Sequence, residues 1–319
     1  LWPNLIASAK ASGARVAIVN GRLSEGSQRG YRRLGSLVRR VLGGVDLVAA
    51  QDEATARRFR SLGARNVVVT GSLKYDGAET DRANERTRAL AALAGFCGPR
   101  GGPAGGEEVA TDDGTPTVWL AGSTQAPEEA ICLRVFDRLS ADFPHLRLIL
   151  VPRHPERFDE VAGLLTASDL TWRRRSHVGQ SAISNQQSEV LLVDSVGELG
   201  AWWGLADIGF VGGSFGDRGG QNMIEPAAYG VATCFGPNTR NFRDIVAALE
   251  SADAARTVND EAELEAFVRR CLVDRGVAED LGGRASRLVA TQLGATERTV
   301  DTLLKLLGEA TPRPAKRSA

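Results

Sequence analysis

The 319 residues carry 43% hydrophobic and 24% charged side chains, enough apolar material for one or two globular domains with real cores. Lys plus Arg and Asp plus Glu stand at 39 each, so no global field argues for nucleic acid, and recognition of a charged partner must be local. Cys97, Cys132, Cys234 and Cys271 form no CxxC or Cys/His spacing, which argues against structural zinc and fits free, mostly buried thiols in a reducing compartment; no apolar run reaches the roughly 20 residues of a spanning helix and nothing resembles a signal peptide, so the chain reads as soluble.

The chain opens without an initiator Met, at LWPNLIASAKASG, inside an amphipathic helix that leads into the strand RVAIVN, Arg15 to Asn20. Residues are expected upstream of residue 1, and the N-terminal domain is expected to be incomplete. The basic stretch RGYRRLGSLVRR, Arg29 to Arg40, reads equally as a solvated helix face or as a surface for anionic lipid or acceptor phosphates, where each charge contributes roughly 1 kcal/mol. DLVAA (Asp46 to Ala50), a helix through ATARRFRSLG, NVVVTG (Asn66 to Gly71) and a helix from Asp81 to Ala94 describe β/α winding on a parallel sheet. Residues 95–116 are rich in Gly, Pro and acid, as a surface linker or insertion is.

A second run follows. TVWLAG, LRLILVP, EVLLVD, IGFVGG and VATCFG are five short apolar strands, most of them separated by helix-length segments, which predicts a second Rossmann-like domain. From Glu261 onward the pattern is helical and ends in a basic tail, TPRPAKRSA. The expected division is residues 1–76, then a connecting helix and linker over 77–116, a domain over 117–308, and a tail over 309–319: α/β, with two Rossmann-like domains around a cleft.

After IGFV comes GGSFGDRGGQNMIEP, residues 212–226, a glycine loop expected to lead into a helix from Asn222 to Gly230. Asn222 and Glu225 stand in a capping-box relation, with Pro226 in or just after the tolerant first turn. A cap needs no Gly212, Gly213, Gly219 and Gly220, whereas glycines that bare the backbone beside a helix N-terminus suit a phosphate. Other strand ends carry Ser123 and Thr124, Arg153 and His154, and Asp194, Ser195, Gly197 and Glu198. Taken singly these are helix caps, a salt bridge and turn residues. Taken together, at the carboxyl ends of parallel strands, they mark a ligand-binding edge.

WPN at 2–4, NGRLSEGS at 20–27, TGSLKYD at 70–76, AGSTQAPEE at 121–129, VPRHPERF at 151–158, DSVGELG at 194–200, FVGGSFGDRGGQNMIEP at 210–226 and FGPNTRNFRDI at 235–245 resemble, in order and spacing, the motifs of the 3-deoxy-D-manno-octulosonic acid (Kdo) transferases, to about residue 300. The resemblance implies a GT-B fold, with residues 1–76 as the C-terminal part of the acceptor-side domain. It implies inverting, metal-independent transfer of Kdo from CMP-Kdo to a lipid A precursor (lipid IVA), without a cofactor, at the cytoplasmic face of the bacterial inner membrane. It also assigns CMP to Pro152 and Arg153, the Val196, Gly197 and Glu198 turn, and Asn222, Met223, Ile224 and Glu225, with Ser123 and Thr124 as further donor-site candidates. Glu225 would accept from ribose hydroxyls. Lys74 would face the donor carboxylate and stabilise an oxocarbenium-like transition state.

The chain departs from that pattern in two places. Gln125 stands where the family usually has His, and Ala126 and Pro127 displace its acidic Gly. The family's general base, a Glu upstream of the WPN segment, and its N-terminal hydrophobic anchor have no counterpart here, so the chain as given is expected to bind donor but not to catalyse transfer. Two other readings stay open: a related GT-B enzyme using a UDP-sugar, which would want cations for a second phosphate beyond Arg153, and a nucleotide-binding domain without activity. No Asp-x-Asp stands at a strand end to hold a divalent ion.

Overall fold

The computed structural model describes residues 2–95, 116–178 and 189–308. The predicted linker lies almost wholly outside these residues, and the basic tail and Cys97 lie outside them altogether. The chain divides into two compact units, one over Leu1–Gly77 with Thr291–Ala319 and the other over Ala78–Ala290.

The first unit runs α1 (Pro3–Ala11), β1 (Ala17–Gly21), α2 (Glu25–Arg33), α3 (Gly35–Gly43), β2 (Leu47–Ala50), α4 (Glu53–Ser61) and β3 (Val67–Val69). Its strands form a parallel sheet in the order β1-β2-β3. Leu42, Val45, Val48, Ala50, Ala56 and Phe59 bury the helices against it. Helix starts are set locally: Ser24 accepts from the Ser27 N–H, and Asp52 accepts from the Thr55 N–H at 2.6 Å, each satisfying a donor the helix leaves unpaired.

The second unit continues with α5 (Glu85–Ala94), β4 (Thr117–Thr124), α6 (Glu128–Ser140), β5 (Leu146–Pro152), α7 (Phe158–Thr166), β6 (Trp172–Arg174), β7 (Val190–Leu192), α8 (Leu199–Trp202), β8 (Ile208–Val211), α9 (Ile224–Ala228), β9 (Ala232–Phe235), α10 (Arg243–Ser251), β10 (Arg256–Thr257), α11 (Glu261–Val273) and α12 (Arg275–Gln292). Its seven strands are all parallel, in the order β10-β9-β8-β4-β5-β7-β6. The winding reverses between β4 and β8, the switch point beyond which ligands sit in such sheets. Trp119, Phe136, Leu148, Leu150, Phe210 and Leu264 belong to one continuous core, and the thiols of Cys132, Cys234 and Cys271 are free and buried in it.

Four features depart from the sequence reading. The helix expected from Asp81 starts at Glu85, because Asn84 accepts from the Thr87 N–H and sets the cap. Strands β6 and β10 were not anticipated: one reads WRR and the other RT, and as the two edges of the sheet neither needs the apolar run that marks a buried strand. The last helix, α13 (Ala295–Gly308), groups with the first unit and not with the helices before it. The helix expected from Asn222 is confined to Ile224–Ala228, with Gly230 turning the chain out at φ 69°.

One buried side chain fixes the end of β4 to the loop after β8. Glu128, 1% exposed, accepts from the backbone N–H groups of Gln125 (2.9 Å) and Gly213 (2.7 Å) through Oε2, and from those of Ser214 (2.8 Å) and Phe215 (3.0 Å) through Oε1. Two oxygens thus satisfy four donors, all charge-assisted. Glu128→Gln keeps the volume but aims a donor at donors, and each buried N–H left unpaired costs about 1–3 kcal/mol. The expected result is a loss of at least about 3 kcal/mol, read as a lower urea midpoint at unchanged slope.

Candidate functional site

The glycine loop answers to the protein before it answers to any ligand. The N–H groups of Gly213, Ser214 and Phe215, expected to be bare for a phosphate, are taken by Glu128. Gly212 has no side chain because a Cβ there would lie 2.6 Å from the Thr124 Cα and 2.7 Å from the Ser123 carbonyl oxygen. Gly219, at φ +90°, is pressed against Arg240 and Asn241, with a Cβ position 2.6 Å from the Arg240 Cγ. These glycines let the loop wedge between the end of β4 and the segment after β9. That is a correction to the phosphate reading of the loop's first half.

The loop delivers its second half to the same edge. Asn222 Oδ1 accepts from the Ile224 N–H at 3.0 Å, and Asn222 Nδ2 donates to Glu225 Oε1 at 3.0 Å. The expected capping box is therefore replaced by an Asx turn that orients a carboxylate. Among the described residues Glu225 Oε2 has no hydrogen-bond partner. Burial pushes the Glu225 carboxyl above the usual carboxylate range, against the opposing pull of the Asn222 amide and the Arg153 charge. Arg153 follows β5; its N–H donates to the Thr124 carbonyl at 2.9 Å, and its guanidinium is exposed, with no side-chain hydrogen bond among the described residues.

The strand order β8-β4-β5-β7 sets the remaining candidates in a row. Ser123 sits at φ 55° where the β4–β5 register shifts, a left-handed conformation costing of order 1–3 kcal/mol in a non-glycine residue. Ser123, Thr124 and Gln125 are all buried beyond it, and neither Ser123 nor Thr124 caps α6, whose cap residue is Pro127. Pro152 closes β5 and is buried, as are Met223 and Ile224. After β7, Val196 is 77% exposed, Gly197 turns at φ 84°, and the Gly197 carbonyl accepts from Arg86 at 3.3 Å. Glu198 is engaged by Arg175 at 2.8 and 3.1 Å and by the Ser195 hydroxyl at 2.5 Å; burial raises its carboxyl, but these contacts outweigh burial and hold it below the usual range.

Three arginines at this edge carry roles that the sequence did not single out. Arg157 bonds the buried Glu129 at 2.5 Å, Arg175 holds Glu198, and Arg174 lies 3.9 Å from Asp194. Of their partners, Asp194 and Glu198 were legible as polar residues at a strand end; the pairing required the fold. Lys74 lies in the first unit, exposed in the loop after β3. His154 lies 3.6 Å from Glu156 and is part-exposed, an ordinary turn residue. Among the described residues no group of three or more His, Cys, Asp or Glu is placed to share a metal, and no helix is long and apolar enough to cross a membrane.

The comparisons with known proteins converge on one family. A family profile described as 3-Deoxy-D-manno-octulosonic-acid transferase (kdotransferase) matches residues 1–77. The 3-deoxy-D-manno-octulosonic acid transferase of Bordetella pertussis is 35% identical over 311 residues, covering 97% of this chain and 68% of the relative. That of Haemophilus influenzae is 33% identical, covering 95% of this chain and 67% of the relative. Among solved structures, the C-terminal CMP-Kdo binding domain of WaaA from Acinetobacter baumannii is similar at 35% identity and a TM-score of 0.51, over 55% of this chain and 89% of that one. With two parallel-sheet units of Rossmann type and these similarities over almost its whole length, the chain belongs to the 3-deoxy-D-manno-octulosonic acid transferase family, glycosyltransferases of GT-B fold.

Proposed function

We propose that this enzyme transfers Kdo from CMP-Kdo to a lipid A precursor (lipid IVA), with inversion and without a metal ion, at the cytoplasmic face of the inner membrane. The observation that carries the reading is the pairing of Glu225 and Arg153. One carboxylate oxygen of Glu225 is oriented by Asn222 and the other is left over, within the field of the Arg153 cation. A half-buried acceptor beside one cation matches a nucleoside monophosphate: ribose hydroxyls for the carboxylate, a single phosphate for the guanidinium. Pro152, Met223 and Ile224 supply buried walls, and the exposed turn from Val196 to Glu198 lies along the same edge.

In the proposed reaction an acceptor hydroxyl oxygen attacks the anomeric carbon of Kdo as the bond from that carbon to the phosphate oxygen breaks. The electron pair stays with the phosphate, which leaves as the CMP dianion, and the hydroxyl proton passes to a general base. Charge grows on the phosphate in the transition state, so Arg153 contributes more there than in the ground state. Lys74 pairs with the donor carboxylate and stabilises the oxocarbenium-like sugar.

A UDP-sugar is the second reading, and it asks for compensation of a second phosphate. Arg157, Arg174 and Arg175 are further cations of this edge, and each already holds a carboxylate. That favours the monophosphate donor.

Calorimetric titration with CMP tests the site. Glu225→Ala and Arg153→Ala are each expected to weaken binding about 10- to 100-fold, the range for a hydrogen bond to a charged group, with the fold intact in thermal melts. Unchanged affinity in both moves the nucleotide elsewhere. The raised Glu225 carboxyl adds a pH signature. Its folded-state value lies above the unfolded one, so stability is highest below the unfolded value and falls as pH rises from there through the folded value. Glu225→Gln should abolish that fall while binding CMP weakly, and CMP affinity of the unsubstituted protein should decline as pH drops through the same window.

For Lys74, the expected outcome in a Kdo-transfer assay is that Lys74→Ala spares CMP affinity and lowers kcat on the order of 100-fold. Transfer at the unsubstituted rate would remove Lys74 from the chemistry.

The membrane part of the proposal rests on α2 and α3. Arg29, Arg32, Arg33, Arg39 and Arg40 are all exposed, beside Leu34 and Leu37, which are 55% and 50% exposed. At about 1 kcal/mol per charge, changing Arg32, Arg33, Arg39 and Arg40 to Ala should release the protein from vesicles containing anionic lipid. Equal binding to neutral vesicles, unaffected by the substitutions, would reject this surface.

A further inference from the structure

The segment from Thr70 to Asp76, which carries Lys74, is held at both ends by the first turn of α13, a helix more than 200 residues away in sequence. At one end, the Asp76 carboxylate accepts from the Ala295 N–H at 3.1 Å and from the Thr296 N–H. It therefore caps two of the four donors that a helix start leaves unpaired, where the macrodipole favours an anion. Burial raises the Asp76 carboxyl, but the contacts to Thr296, Ala295 and Gly294 outweigh burial and hold it below the usual carboxylate range.

At the other end, Arg298 Nε donates to the Thr70 carbonyl at 2.9 Å, and its Nη1 donates to the Leu293 carbonyl at 2.9 Å. Gly71, at φ +97°, lies so close to the helix that a Cβ would stand 3.0 Å from the Ala295 Cβ. The middle is tied to the sheet. The Leu73 N–H donates to Asn20 Oδ1 at 3.3 Å, and that oxygen also accepts from Gln51 at 2.7 Å. Asn20 adopts φ 51° to reach both, and Tyr75 is buried next to Lys74. Positions 70, 71, 73, 75 and 76 are thus fixed, and Lys74 projects exposed from among them.

We infer that α13 is a clamp that positions Lys74, with Asp76 and Arg298 as positioning residues for the transfer step. The inference rests on the role proposed above for Lys74. A flexible lysine on a free loop must be ordered at the moment of reaction, whereas a pre-ordered one aims its charge without that cost, and misplacement by about 1 Å costs on the order of 100-fold in rate. A clamp that only secured the C-terminal helix would act on stability and leave the lysine's contribution untouched.

A double-substitution cycle separates these cases. kcat for Kdo transfer is measured in the unsubstituted protein and in Lys74→Ala, Asp76→Ala and the double variant, with CMP affinity and melts alongside. The expected result is that Asp76→Ala lowers kcat about 10- to 100-fold, leaves CMP affinity unchanged, and lowers kcat no further once Lys74 is alanine. Asp76→Asn, which keeps one acceptor oxygen, should recover part of the rate. Where Asp76→Ala melts too low to assay, Arg298→Met opens the other end of the segment, and the same non-additivity is expected. Amide hydrogen exchange across residues 71–76 should quicken in each clamp variant. Equal losses from Asp76→Ala with and without Lys74, or an unchanged kcat in a protein where Lys74→Ala is impaired, overturns the clamp. A full rate in Lys74→Ala itself overturns the reading of Lys74, and the inference falls with it.

Discussion

The second unit depends on one buried carboxylate. Glu128, at the start of α6 just past the bulged end of β4, ties both to the glycine loop after β8, which is more than 80 residues away in sequence. Further ties depend on that loop staying in place. The Ser214 hydroxyl donates to the Val211 carbonyl and accepts from the Gly236 N–H, and the Ser214 carbonyl accepts from the Asn238 N–H. The ends of β4, β8 and β9 are thereby locked in one plane of contacts, and the Asn222–Glu225 turn leaves from a rigid base. A buried charge without a cation is tolerable only because four N–H dipoles converge on it.

That arrangement decides what the edge has left for a ligand. Glu128 is consumed by the backbone, Glu198 by Arg175 and Ser195, and Asp194 by Ser176, while Glu129 gives one oxygen to Arg157 and keeps the other buried without a hydrogen bond. At this edge Arg153 lies close enough to Glu225 to act on its charge, with no hydrogen bond between the two among the described residues. Side chains that are fully satisfied internally specify the fold. A pair that is oriented but not satisfied is where a ligand gains most, because its hydrogen bonds replace nothing but water.

How far the sequence revealed this follows from which interactions are local. The strands TVWLAG, LRLILVP and IGFV were legible because burial on both faces demands continuous apolar runs, and the motif order pointed to the family and to Glu225, Arg153 and Lys74. Glu128 was visible within the AGSTQAPEE motif, yet three of its four partners lie 85 to 87 residues away, beyond any spacing rule. The same holds for Arg157, Arg174 and Arg175. Strands β6 and β10 were illegible for the opposite reason: at the sheet's edges, WRR and RT have no buried face to advertise. Asn222 and Glu225 were correctly placed together but given the wrong geometry, since a capping box and an Asx turn share the same residues at the same spacing.

The two units use one device in two places. In each, a carboxylate on one element accepts the backbone N–H groups of another, Glu128 from the glycine loop and Asp76 from the start of α13. Such carboxylates rigidify loops at strand ends without closing them with bulky side chains, so the strand ends stay accessible. Glu128 also leaves negative charge beside a site proposed to hold a phosphate, and that charge works against an anionic ligand. Arg153 is one exposed cation at the donor edge that opposes it. One exposed guanidinium offsets the single charge of a phosphodiester more completely than the two of a diphosphate. On the proposed reading, the internal anions that build this edge favour a donor carrying one phosphate, and that selectivity would come from the residues that hold the fold.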